Sequence, residues 1–238
     1  MRNRGRGYLG RFLLLLVLVS ACTPAQRRDL VPGRSSTEVG FRTEDGFRLQ
    51  GEVFGEGPDV VILSHMRPAD QSSWFDFAES LTEHGYRAVT FNFRGYGSSE
   101  GAKVLDVIDR DVRGAIEFTR DQGAERVILI GASMGGTASM VAAASEPVDG
   151  VVTLSAPDRL GPLDAAAVAG SVDARTLFIV AQEDEPFVRQ AESLFKAAAE
   201  PSDIKIVPGS DHGTDLLGGS QGKSVEEAIR DFLEEALG

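Results

Sequence analysis

The chain has 238 residues, 36 acidic side chains against 24 basic ones, and a formal net charge of −12. Discounting Arg2, Arg4, Arg6 and Arg11 at the front lowers that to −16, which argues against nucleic acid or anionic lipid headgroups as partners and fits a solvated acidic surface. A single cysteine rules out a disulfide within the chain, and the part beyond residue 36 has the length of one domain.

The four leading arginines precede an apolar run over residues 12–19, too short to span a bilayer as a mature helix. This is the pattern of an export signal occupying residues 1–21. It ends in Leu18-Val19-Ser20-Ala21-Cys22, which resembles a bacterial lipobox, in which the cysteine is lipidated and becomes the new N-terminus. The alternative is an ordinary secretory signal that leaves Cys22 as a free thiol. Lipidation at Cys22 implies an exported lipoprotein held on the bacterial cell membrane or outer membrane without crossing it. Residues 23–36 are polar, contain Pro24 and Pro32, show no period, and read as a tether.

From residue 37 onward, β-branched runs alternate with helical patterns, the signature of βαβ units and a mostly parallel sheet. Strands over residues 39–43 and 48–54 flank the turn Glu44-Asp45-Gly46 and form an antiparallel hairpin. Residues 59–64 are the first buried strand. A helix over 73–84, capped by Ser72 or Ser73, presents Trp74, Phe77, Ala78 and Leu81 on one face and ends at Gly85. A strand over 88–93 and a helix over 105–122 follow, the latter with Val107, Val112, Ala115, Ile116 and Thr119 at helical spacing. Residues 126–131 form a strand and 134–145 an alanine-rich helix. Strands over 150–155, 175–181 and 203–207, with helices over 187–200 and 224–237, complete the domain.

The run RVILIGASMGG, residues 126–136, places Ser133 between Gly131 and Gly135 directly after a β-branched strand. Such a G-x-S-x-G turn passes sharply from strand to helix and exposes the serine hydroxyl, with the Met134 N–H aimed at a developing oxyanion. Short matches of this kind also arise by chance, so partners are required. Leu63-Ser64-His65-Met66 and Asn92-Phe93-Arg94-Gly95-Tyr96-Gly97-Ser98-Ser99 supply further motifs. In this order the chain resembles the α/β-hydrolase fold family over essentially the whole domain, from Val39 to Leu237. The second motif matches the family's D-x-R-G-x-G-x-S turn except that Asn92 replaces aspartate. The resemblance implies an eight-stranded, mostly parallel sheet with helices on both faces and a minimal cap.

Nucleophilic catalysis by serine needs a base and an acid that orients the base. Of three histidines only His212 follows Ser133, and it lies in a tight loop after a strand, where the family's catalytic histidine is found. For the acid, Glu183, Asp184 and Glu185 follow the strand over 175–181. The family's G-x-x-D-x-x-V pattern selects Asp184, with Glu183 as its rival. His84 reads as a helix-end residue and His65 as a residue that structures the oxyanion loop. The oxyanion donors are the backbone N–H of Met134 and, from the loop after the first buried strand, that of Arg67 or Met66. Glycine usually stands where Met66 does.

The segment from Pro68 to Trp74 resembles small bacterial hydrolases of the dienelactone-hydrolase-like kind. Their namesakes use a cysteine nucleophile, so the lactone chemistry is not carried over. Residues 156–173 are short for a lid, with room for about two helical turns, which suits short or accessible acyl groups. A serine at the elbow disfavours dehalogenase or epoxide hydrolase chemistry, which uses aspartate there. No metal cluster, phosphate loop or dinucleotide fingerprint is present, and no cofactor is implied. The expectation is a membrane-anchored serine esterase acting on a small-molecule ester. A peptidase or amidase with the same triad, and a silent lipoprotein binding module, are the alternatives.

Overall fold

A computed structural model describes residues 35–238 together with Met1. Cys22, the export signal and nearly all of the tether lie outside the described residues. Among the described residues no helix is long and apolar enough to cross a membrane.

Strands β1 (Ser36–Arg42) and β2 (Arg48–Phe54) form the expected antiparallel hairpin, with Arg42 opposite Arg48. The chain then alternates: β3 (Asp59–Ser64), α1 (Phe75–Glu83), β4 (Arg87–Phe91), α2 (Asp109–Asp121), β5 (Arg126–Ala132) and α3 (Met134–Ala143). After β6 (Gly150–Leu154) comes a small insertion of β7 (Arg159–Leu160), β8 (Leu163–Asp164) and the four-residue α4 (Ala165–Val168). The last part runs β9 (Arg175–Ala181), α5 (Phe187–Ala197), β10 (Ser202–Val207), α6 (Asp215–Gly218) and α7 (Gly222–Leu237). The main sheet has eight strands in the order β1-β2-β4-β3-β5-β6-β9-β10, with β1 and β2 antiparallel to their neighbours and the remaining pairs parallel.

The central strands read as unbroken apolar runs because both faces of the sheet are covered. Val60 and Ile62 of β3 join one core with Leu129 of β5 and Phe178 of β9, packed under α2, α3 and α5. Val61, Leu63, Ile128 and Ile179 alternate onto the other face and pack against Trp74, Phe77 and Leu81 of α1 and Ile229 and Leu233 of α7. Each such side chain taken out of water contributes about 1.5–3 kcal/mol, so this two-sided burial is what fixes the strand register.

Two local expectations are corrected. The helix predicted over 73–84 begins as a 3-10 turn, Gln71–Trp74, and becomes α-helical only at Phe75. Its cap is Asp70, whose carboxylate accepts the Ser72 N–H at 2.9 Å, rather than Ser72 or Ser73. The hairpin of β7 and β8 was not read from the sequence, because each strand is only two residues long.

The sheet order reverses at β3, whose neighbours are β4 on one side and β5 on the other. In open parallel sheets, ligands bind beyond the carboxyl ends of the strands at such a switch point. Ser133 follows directly on β5, at that end.

Candidate active site

Ser133 has φ 48° and ψ −117°, a conformation that costs a non-glycine residue about 1–3 kcal/mol. The surrounding structure compensates for it. The Ser133 N–H donates to the Leu154 carbonyl at 2.8 Å, and its own carbonyl accepts from Gly136 at 2.9 Å. The flanking glycines are required by close approach: a Cβ at Gly131 would overlap the backbone of Gly135 and Gly136, and one at Gly135 would overlap the Ser64 carbonyl. The turn therefore presses the start of α3 against the end of β3. Met134 is the first residue of α3, so its N–H has no acceptor within the helix.

The three acids after β9 are sorted by their partners. Asp184, 7% exposed, has Oδ2 2.9 Å from Nδ1 of His212. Glu185 pairs with Arg189 at 2.7 Å on the surface, and Glu183 is exposed. Backbone bonds tie the acid loop to the histidine loop, from Gln182 N–H to Val207 O at 2.8 Å and from Glu183 N–H to Gly209 O at 2.9 Å. Gly213, next to His212, has φ 59° and packs so closely that a Cβ there would lie 2.6 Å from Met66 Sδ and 3.5 Å from Ala132 Cβ. The structure thus brings the loops carrying His212, Met66 and Ser133 together at one end of the sheet. Phe187 packs its ring on the imidazole of His212, with centroids 4.3 Å apart. The sequence reading missed that contact; its signal was an aromatic directly following the Glu185-Pro186 pair.

His65 is completely buried and sits between Phe93 and Tyr96 in edge-to-face contacts of 4.9 and 4.8 Å. The Phe93 N–H can only donate, so Nε2 of His65 accepts it at 3.2 Å. The Met66 carbonyl can only accept, so Nδ1 of His65 carries a proton and donates at 2.8 Å. Both nitrogens are used by a neutral ring, and burial pushes its pKa down to about 4. His65 holds the Met66 carbonyl turned toward itself. In a trans peptide the N–H of the next residue points the opposite way, so the Arg67 N–H is directed away from His65.

The Asn92-to-Ser99 turn is held from several sides. Arg94, 4% exposed, donates through Nε and Nη2 to Asp111 Oδ1 at 2.8 and 2.6 Å and through Nη1 to Asp45 Oδ2 at 2.9 Å. Its guanidinium stands 5.0 Å over the Phe47 ring, and the Arg94 partnership holds Asp45 well below the usual carboxylate range. This ties the β1–β2 turn, the β4 loop and α2 together. Asn92 accepts the Gln71 N–H at 3.0 Å through Oδ1 and donates through Nδ2 to Gln50 Oε1, also at 3.0 Å. The departure at Asn92 is therefore a structural cross-link. His84 is the exposed residue ending α1 and lies outside the site.

The insertion after β6 is as small as the sequence implied, and Thr137 Oγ1 of α3 fastens it by donating to the Pro157 carbonyl at 2.6 Å. Among the described residues no group of three or more His, Cys, Asp or Glu side chains is placed to hold a metal ion.

A strained serine between a buried parallel strand and a helix, beside a carboxylate-bonded histidine at the carboxyl end of an open sheet, defines a class of proteins built around a nucleophile elbow. A family model described as alpha/beta hydrolase fold matches residues 59–200, more than half the chain, and the chain belongs to that family. Among its relatives, the Mycobacterium tuberculosis H37Rv protein Rv2307c is 28% identical over 237 aligned residues, covering 86% of this chain and 83% of that protein. The Escherichia coli K12 protein YfhR is 25% identical, covering 85% of this chain and 82% of its own length. Among solved structures, the Pyrococcus furiosus esterase Pf2001 superposes with a TM-score of 0.76 at 17% identity, covering 85% of this chain and 92% of the esterase.

Proposed function

We propose that the chain is a serine hydrolase that cleaves carboxylic esters through an acyl-enzyme. The observation that carries this reading is the 2.9 Å bond between Asp184 and His212 next to the strained Ser133 turn. A carboxylate on Nδ1 fixes the tautomer that leaves Nε2 free to take a proton. Ser133 Oγ attacks the ester carbonyl while its proton passes to His212 Nε2. The oxyanion that forms is met by the Met134 N–H and the Arg67 N–H, with the Met66 N–H as the other candidate donor. The tetrahedral intermediate collapses, the C–O bond to the alcohol breaks, and His212 returns the proton to the leaving alkoxide. Water then attacks the acyl-serine with His212 again as base, releasing a carboxylic acid and restoring Ser133.

The small insertion after β6 supports accessible, short acyl groups as substrates. The segment from Pro68 to Trp74 supports placing the chain near the small dienelactone-hydrolase-like enzymes, with serine in place of their cysteine. The expected export and lipidation at Cys22 belong to the same proposal. The strand that begins at Ser36 runs parallel to β4 and β5, so the chain enters the domain at the end of the sheet away from Ser133. A tether of residues 23–36 reaches at most about 50 Å, and it would join the domain at the sheet end opposite Ser133, leaving that site open to a soluble ester.

Labelling with a fluorophosphonate probe tests the nucleophile: wild type labels and Ser133→Ala does not, and equal absence of label in both removes the catalytic reading. A panel of p-nitrophenyl esters of rising chain length, with p-nitroanilides beside them, reads the substrate class, and the short esters are expected to turn over fastest. Mass spectrometry of the mature protein tests the anchor, which fails if Cys22 carries no lipid.

A further inference from the structure

At the end of the sheet opposite Ser133, where the chain enters β1, a groove with a volume of about 410 Å³ opens beside the C-terminal end of α2. That volume falls within the range of small-molecule sites, about 300–1,000 Å³. Its apolar wall is built by strand alternation. Val39 of β1, Val53 of β2 and Val89 of β4 line one side of the groove, and Phe118 of α2 faces them.

The same groove is lined by Arg87, the first residue of β4. Its Nη1 donates to the Gln122 carbonyl at 3.1 Å, where a cation favours the C-terminal end of α2. Its Nε and Nη2 are buried and have no hydrogen-bond partner. Burial lowers its pKa, with no neighbouring carboxylate acting against it. Arg94, Arg113, Arg126 and Arg175, by contrast, each pair with an acid. The acidic residue at this groove, Glu56, is exposed and makes no ion pair with Arg87. Nε and Nη2 are the two donors on one edge of a guanidinium, with parallel N–H bonds, which is the geometry a carboxylate meets with both of its oxygens.

We propose that this groove binds an aliphatic monocarboxylate, with its head group on the Nε and Nη2 edge of Arg87 and its chain along Val39, Val53, Val89 and Phe118. The ligand supplies the counter-charge that the protein does not, and its chain covers the half-buried Val39, Val53 and Phe118 above the buried Val89. Both donors are covered in the free protein, so binding requires the Arg87 side chain to turn toward the ligand. The site is separate from Ser133 and stands whether or not the esterase reading holds.

Calorimetric titration of the purified chain with octanoate, 1-octanol and inorganic phosphate tests it. Octanoate is expected to bind with 1:1 stoichiometry, 1-octanol at least tenfold more weakly, and phosphate without saturation. Arg87→Gln and the groove-filling Val53→Phe are each expected to weaken octanoate at least tenfold, with thermal melts showing both variants folded. Having two variants on different strands guards against a folding defect in one of them. No octanoate binding, equal binding of octanol, saturable binding of phosphate, or octanoate binding that survives both substitutions overturns the proposal. The last result would place octanoate elsewhere, as expected of a carboxylic acid product held at Ser133.

Discussion

Asp184 Oδ2 lies 2.9 Å from Nδ1 of His212, and because a carboxylate can only accept, that distance assigns the Nδ1 proton. An amide in place of Asp184 can turn its NH₂ toward Nδ1 and so favour the opposite tautomer, with the proton on Nε2, where the proposed mechanism needs a lone pair. Asp184→Asn is expected to lower kcat on a short p-nitrophenyl ester about 10³- to 10⁴-fold with little change in KM. Glu183→Gln, which alters an exposed neighbour, is expected to leave kcat at the wild-type level. A kcat loss shared equally by the two variants would reassign the acid.

Gly135 is where the elbow helix meets the loop that follows β3. A Cβ there would overlap the Ser64 carbonyl and approach the His65 carbonyl at 2.8 Å, and both neighbours are backbone that cannot swing aside. Gly135→Ala is expected to cost about 1–3 kcal/mol or more in urea denaturation. It is also expected to reduce esterase activity beyond that loss, since it pushes the Met134 N–H away from the Met66–Arg67 loop. An alanine variant of wild-type stability and activity would contradict this packing.

Much of this was legible in the chain itself. Residues 59–64 and 175–181 stand out as strands because both faces are buried, and the structure returns them with the same ends. The Ser133 turn and the Asp184–His212 contact of the candidate site were legible from local context: a glycine on either side of the serine, a motif position after a strand, and the single histidine downstream. The Arg94 network was not, because its partners lie 17 and 49 residues away and nothing local links Asp111 or Asp45 to the β4 loop. Asp70 was missed as a cap for a related reason. It caps a 3-10 turn that precedes the helix, so the helical period starts later than the cap. The Arg87 groove is likewise invisible in sequence, since its lining comes from β1, β2, β4 and α2, segments far apart in the chain.

Asn92 is 3% exposed and joins two segments through groups of opposite character. Gln50 Oε1 also accepts the Ser98 N–H at 2.9 Å, which fixes it as an acceptor and requires a donor from Asn92. Asn92→Asp restores the residue usual in the family and sets an acceptor against that acceptor. The expected cost is about 1–3 kcal/mol. The deficit relative to wild type should shrink as pH falls from 7 to 5, because a protonated carboxyl regains a donor. Denaturation midpoints of both proteins at the two pH values measure this, and a variant equal to wild type at pH 7 would refute the assigned hydrogen-bond polarity.

His65 makes stability depend on pH in a window set by its own shift. Its folded pKa is about 4 against 6.5 for the free side chain, so between those values the unfolded chain binds the proton and the folded one does not. Stability therefore rises with pH across this window: the contribution is fully present above about 6.5 and is lost as pH falls toward 4. A shift of this size corresponds to a loss on the order of 3 kcal/mol. His65→Gln keeps an acceptor for the Phe93 N–H and a donor for the Met66 carbonyl but cannot titrate. Urea midpoints measured from pH 7 to pH 4 are expected to fall less steeply for this variant than for wild type. Parallel curves would mean that His65 takes up its proton as readily in the folded protein as in the unfolded chain, and that the loop after β3 does not depend on a neutral imidazole.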